Sequence, residues 1–176
     1  PFNNAFNTSI TTLDGLQWCS GAHTSTNGGT NQSNRGTTAF GPVSAEATRI
    51  NIVNQLSNTD NRLSDNEPDA LLVPESLREA AWEYVSSTGK VDTANNNKNF
   101  AQGRYTLIWS KWLDDTNNWF MFNKRMLKEA LWWGDIVKQE FNNAKDFDDY
   151  AAKYSVYMFY NYIPREWRGV FGQEVS

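Results

Sequence analysis

The chain has 176 residues, enough for one domain or two small lobes with a sizeable core. Its 39% hydrophobic and 14% aromatic content argues against wholesale disorder, because large rings offset the entropy of ordering. A net charge of −4 with no Lys/Arg run shows no phosphate-binding footprint, a single Cys excludes an internal disulfide, and no apolar run is long enough to span a bilayer as a helix.

Residues 1–45 carry only Asp14 and Arg35 as formal charges and are filled with Asn, Thr, Ser and Gly. Such a segment has little to bury by itself and is expected to be loop-rich or to lie along something else. "GPVSAEATRINIVNQLSN" predicts a helix over about 44–58, with Ser44 as N-cap and Glu46 in the first turn. Ala47, Ile50, Val53 and Leu56 form its expected apolar stripe, which would lie across a sheet or another subunit. Ile50→Asp and Val53→Asp are therefore expected to cripple folding or association. "SNTDNRLSDNEP" follows as a loop or hairpin tip.

"ALLV" is a continuous apolar run, as in a strand covered on both faces. Pro74 then suits the first position of a helix with Leu77, Ala80, Ala81 and Tyr84 buried and Gly89 as its stop. "TGKVDTANNNKN" reads as a polar loop. "GRYTLIWS" alternates, placing Tyr105, Leu107 and Trp109 on one face of a strand. "LDDTNN" reads as a turn and "WFMFN" as a further strand. "KRMLKEALWWGD" is ambiguous between a helical turn and a strand-flanking loop. "KYSVYMFYNYI" is the longest strand candidate, ended by Pro164. The pattern is α+β.

Several residues invite chemistry. Cys19 and His23 stand at C-x3-H spacing, but a zinc site would need further Cys or His ligands, and Asp14 alone does not complete one. Cys19 is expected to pack as a small apolar residue and His23 to bond a loop backbone, so His23→Ala should cost under about 1 kcal/mol. Asp114 with Asp115, and Asp146 with Asp148 and Asp149, resemble paired carboxylates of glycosidases or calcium ligands. Neither group has calcium-loop spacing, and both sit in turn-like contexts. Phosphate-loop and nucleophile-elbow motifs are absent from the sequence. Trp109, Trp112, Trp119, Trp132 and Trp133 crowd one stretch. Sugar stacking is one use for them; core packing with Trp109 and Trp119, and an interface with the more exposed Trp112 and Trp133, is the favoured one.

Taken in order, these segments resemble the major capsid protein of tailed bacteriophages, the fold first described for the Hong Kong phage. "LDGLQWCSGAH" with "GGTNQSN" resembles the polar segment ahead of that family's long helix. "GPVSAEATRINIVNQLSNT" resembles its spine helix, and "PDALLVPESLREAAWEYVSS" the strand–Pro–helix that opens the axial domain. "DTANNNKNFAQGRYTLIWSKWLDDTNNWFMFN" resembles the stretch that follows. "YSVYMFYNYIPREWRGVFG" resembles the strand returning to the peripheral domain. The resemblance covers most of residues 13–172.

It implies a peripheral part over 1–68 with the spine helix at about 44–58, an axial domain over 69–148, and a returning strand over 149–176. It implies a structural protein with no catalytic, cofactor or metal site. Its partners would be copies of itself in hexamers and pentamers, with other head proteins as further candidates and no membrane. The closed shell would hold DNA without sequence-specific binding. The protein would be made in the bacterial host cytoplasm and reside in the virion. The family's N-terminal arm and its extended hairpin ahead of the His-bearing segment have no counterpart here, and the chain starts at Pro1, so a truncated or proteolysed chain is expected. A carbohydrate-binding module, an encapsulin-type compartment shell and a hydrolase using Cys19 or the Asp pairs are the alternatives.

Overall fold

A strand whose residues are apolar at every position has no face to offer water. Ala70–Pro74 (β2) and Trp119–Phe122 (β4) meet this condition, Val170–Gln173 (β7) meets it in all but its last residue, and every residue in the three is buried. They occupy the interior of one five-stranded sheet in the computed structural model, which describes all residues except 25–28, 64–65, 91–96, 146–147 and 149–150. Two further strands complete the sheet, Arg35–Gly36 (β1) and Thr106–Ser110 (β3), in the order β1-β7-β4-β2-β3. β1 runs parallel to β7 and β3 parallel to β2, whereas β4 is antiparallel to both its neighbours.

Side chains alternate across this sheet and feed two cores. Leu71, Val73, Trp119, Met121 and Phe171 point to one side. There they meet Ala45 and Ile52 of helix Pro42–Val53 (α1) and Ala81, Tyr84 and Val85 of helix Arg78–Ser86 (α2). Ala70, Leu72, Phe120, Phe122 and Val170 point to the other side, where Ala5, Trp18, Cys19 and Trp167 cover them. The Asn-rich first segment thus does lie along something else. Phe2 and Phe6 pack their rings against Phe120. Gly172 is required where the layers touch: a Cβ there would stand 2.8 Å from Phe6, 2.9 Å from the Cys19 sulfur and 3.0 Å from Phe120.

Helix α1 departs from the expected 44–58 span and from the expected face. It covers Pro42–Val53, with Gly41 at the N-cap and Pro42 at the start, so Glu46 lies beyond the first turn and pairs with Arg49 at 2.7 Å. Ser44 does not cap; its hydroxyl donates back to the carbonyls of Ala39 and Gly41. The buried residues are Ser44, Ala45, Thr48 and Ile52, while Ala47 and Ile50 are exposed. Hydrogen bonds explain the inversion. Thr48 accepts from Gln173 Nε2 of β7 at 2.8 Å, so this polar side chain has a hydrogen-bond partner in the core.

The strand–Pro–helix unit is present with a shifted joint. Pro74 ends β2, a 3₁₀ turn occupies Glu75–Leu77, and α2 begins at Arg78. Ala80 is exposed and Val85 takes its place in the core. The helix ends as Ser87 turns extended, and Gly89 instead pairs with Lys98 beyond it. Trp109 is also not core: it is 46% exposed, and Arg78 lies over its ring at 4.3 Å.

The ambiguous segment is a helix that runs straight into a strand, not a strand-flanking loop. Asn123 caps helix Lys124–Ala130 (α3), its side chain accepting from the N–H groups of Arg125 and Met126. Leu131–Lys145 (β5) follows directly and pairs antiparallel with Ala152–Pro164 (β6). β5, with 15 residues against 13, is longer than the strand expected to be longest. Together they make a two-stranded ribbon separate from the main sheet.

Candidate functional site

The described residues contain no group of three His, Cys, Asp or Glu side chains placed to hold a metal ion. The opening loop nevertheless builds a defined polar centre. A short hairpin, bridged at Thr11 and Gln17, turns Asp14 inward. The Asp14 carboxylate accepts from the Thr12 hydroxyl and from the Leu16 N–H, and its Oδ2 lies 2.6 Å from His23 Nδ1. Burial works against its ionisation, but the bonds from Thr12, His23 and Leu16 outweigh it and hold the carboxyl below its ordinary range. His23 Nε2 faces Asn34 Oδ1 at 2.9 Å. The imidazole lies flat on Trp167, with centroids 4.3 Å apart and planes 3° apart.

His23 therefore bonds side chains and not the loop backbone by its ring, although its main chain bridges to Gln32. It is 1% exposed, so the expectation of a nearly silent His23→Ala does not hold. Removing the ring takes one contact from the Asp14 carboxylate and one from the Asn34 amide oxygen and leaves a void against Trp167, which is expected to cost about 2 kcal/mol. Neither ring nitrogen faces a hydroxyl or a thiol, because Nδ1 meets Asp14 and Nε2 meets Asn34. Cys19 is fully buried, and burial pushes its thiol well above the usual range, which keeps it in the unreactive form.

Asn34, Trp167 and Arg168 escaped the sequence reading, and they join the centre to the rest of the fold. Arg168 donates to the Leu56 carbonyl at 2.7 Å and to Asn58 Oδ1 at 2.6 Å. Next to it, the Gly169 N–H donates to Gln55 Oε1 at 2.8 Å. A buried Asn or Gln leaves no hydropathy trace, so only the run "NQSN" and the aromatic–Arg pair in "EWRG" hinted at them.

Of the acidic groups, the first takes a turn role: Asp115 Oδ1 accepts from the N–H groups of Asn117 and Asn118. Asp146 and Asp149 lie outside the described residues, and Asp148 alone is described. The tryptophans do not form one platform. Trp119 is buried and donates to the Thr38 carbonyl, whereas Trp112 is 76% exposed beside Lys111. Trp132 and Trp133 leave opposite faces of the ribbon, Trp132 under Arg165 and Trp133 stacked on Tyr160 at 4.6 Å.

Two apolar surfaces stand out instead. Between α1 and the loop at Phe100 runs a groove of about 510 Å³ lined by Pro42, Val43, Ala47, Ile50, Tyr84 and Phe100. It is the face of α1 that the sequence pattern had assigned to the core. The second is the ribbon. Opposed pairs on one face include Trp133 with Tyr162 and Phe141 with Val156; on the other they include Trp132 with Ile163 and Val137 with Phe159. Almost every one of its residues is exposed. No described helix is long and apolar enough to cross a membrane.

A family model described as phage capsid protein matches residues 2–172. No curated protein and no solved structure matches the chain.

Proposed function

Because the chain belongs to the phage capsid protein family, we propose that it builds an icosahedral shell from hexamers and pentamers of itself and that this shell encloses DNA. A structural capsid protein needs surfaces that only neighbours complete. The ribbon is the observation that supports this reading best: a two-stranded ribbon alone in water is marginal, yet this one carries large rings on both faces. Exposed apolar area of that extent marks an association surface.

In the same reading, residues 69–148 form the axial part and residues 1–68 and 149–176 the peripheral part, the two joined through the shared five-stranded sheet and the β5–β6 ribbon. The net charge of −4 suits a container that holds DNA without gripping it, since like charge keeps the genome from adhering. Other head proteins are candidate partners, and the virion is the place of residence, after synthesis in the host cytoplasm.

The test is mass by light scattering on the purified chain, paired with negative-stain microscopy of the longest natural version. Rings, capsomers or closed shells are expected. A strict monomer in both preparations at every concentration overturns the proposal, and a polysaccharide-binding screen then addresses the exposed tryptophans.

A further inference from the structure

The polar centre around His23 has a property that its hydrogen bonds fix without reference to assembly. The orientation of the Asn34 amide is determined by its surroundings. Its Nδ2 donates to the Trp18 carbonyl at 2.9 Å and to the Trp167 carbonyl at 3.2 Å. Its Oδ1 accepts the Ser20 N–H at 2.8 Å. Flipping the amide would set oxygen against two carbonyls and nitrogen against an N–H. The atom facing His23 Nε2 is therefore an oxygen with no hydrogen to give, so Nε2 must carry one. On the other side of the ring, the Asp14 carboxylate accepts from Thr12 and Leu16 and presents Oδ2 to Nδ1. An ionised carboxylate is also acceptor-only, so Nδ1 must carry a hydrogen too.

We propose that His23 is a buried imidazolium, bound between Asp14 and Asn34, and that it makes this junction a pH-sensitive clasp. The ring face agrees, because a cation on an indole is favoured over a neutral ring. The charged groups around it are few. Asp14 faces the ring edge, and Asn34 and Trp167, which flank the rest, are neutral. Beyond Trp167 lies Arg168, 4.4 Å over the indole and paired to Glu166 at 2.8 Å. Among the described residues, Asp14 is thus the one anion in direct contact with the imidazole.

The position gives the clasp a consequence. Trp167 lies between the end of β6 at Pro164 and the start of β7 at Val170. Trp18 also donates to the Glu166 carbonyl at 3.1 Å. The clasp therefore ties the opening segment to the root of the ribbon. Losing either ring proton sets a lone pair against a carboxylate or an amide oxygen, and the contact turns repulsive. The stabilisation is present while both ring nitrogens carry a hydrogen and is lost when either hydrogen leaves. The Asp14 carboxylate, held below its ordinary range, sets the acid limit: its contribution is lost only as pH falls through its folded value.

The chain has one histidine, so long-range proton–nitrogen spectra of the native, labelled protein report this ring alone. Two protonated-type ring nitrogens at neutral pH are expected; one pyridine-type nitrogen at neutral pH overturns the assignment. A second measurement is the thermal midpoint between about pH 6 and about pH 9, on either side of the ordinary imidazole range. The wild type is expected to lose about 5 °C more than His23→Gln across that interval. Parallel curves overturn the clasp. If His23→Gln does not fold, the spectrum of the wild type still decides.

Discussion

The strands "WFMF" of β4 and "VYMFY" within β6 are built from nearly the same residue types, yet one is buried throughout and the other is exposed throughout. β4 sits between β7 and β2, with layers on both faces. β6 has a single neighbour, β5, and among the described residues no layer covers either of its faces. The comparison teaches that apolar content states a need for cover without stating who supplies it. In the sheet, this chain supplies it. In the ribbon, it does not.

The contrast can be broken most severely inside α1, where neighbouring isoleucines belong to the two regimes. Ile52→Asp puts a charge in the sealed core and is expected to cost more than about 4 kcal/mol, seen as loss of a cooperative denaturant transition. Ile50→Asp, on the groove face, should cost under about 1 kcal/mol and act on association if it acts at all. Equal losses for the two would refute the assignment of the buried face. Gly172→Ala comes next: its methyl meets Phe6, Cys19 and Phe120 together, and overpacking of this kind costs about 2 kcal/mol in the same titration. The double substitution Phe141→Ser with Met158→Ser, on one ribbon face, should leave the stability of the sheet within about 0.5 kcal/mol. Its effect belongs in light scattering, as a loss of self-association; a large drop in stability would show that the ribbon supports the sheet after all. The smallest effect is expected at Cys19. The native thiol should resist alkylation at neutral and mildly basic pH, because burial raises its titration, and should label only on unfolding. Rapid labelling of the native protein would mean that the Phe6–Cys19–Phe120 layer opens.

The main elements of the sheet were legible because continuous apolar runs announce strands buried on both faces, as "ALLV" and "WFMF" do. The face of α1 was not. Hydropathy assigned Ala47, Ile50 and Val53 to the core, whereas the fold uses Ser44 and Thr48 there, satisfied by hydrogen bonds that no periodicity reveals. β5 was equally hidden. Its stretch "GDIVKQE" is mostly polar, and its register with β6 shifts between Asp135 and Val137 and again between Val137 and Glu140, which blurs any alternation. The His23 centre was legible only in part. Cys19 was correctly expected to pack, but the partners of His23 include Asn34 and Trp167, the latter brought close by the path of the chain back from the ribbon.

The sheet order carries a kinetic consequence. β7 lies between β1 and β4, so the strand that follows the ribbon in sequence must reach residues 35–36 on one side and 119–122 on the other before the sheet closes. Pairings across such separations are slow to form. The ribbon, by contrast, is a local hairpin that can form within microseconds, as hairpins do. During folding, its aromatic faces are therefore on display before the body is sealed, and intramolecular closure runs in a race against premature encounter with other chains.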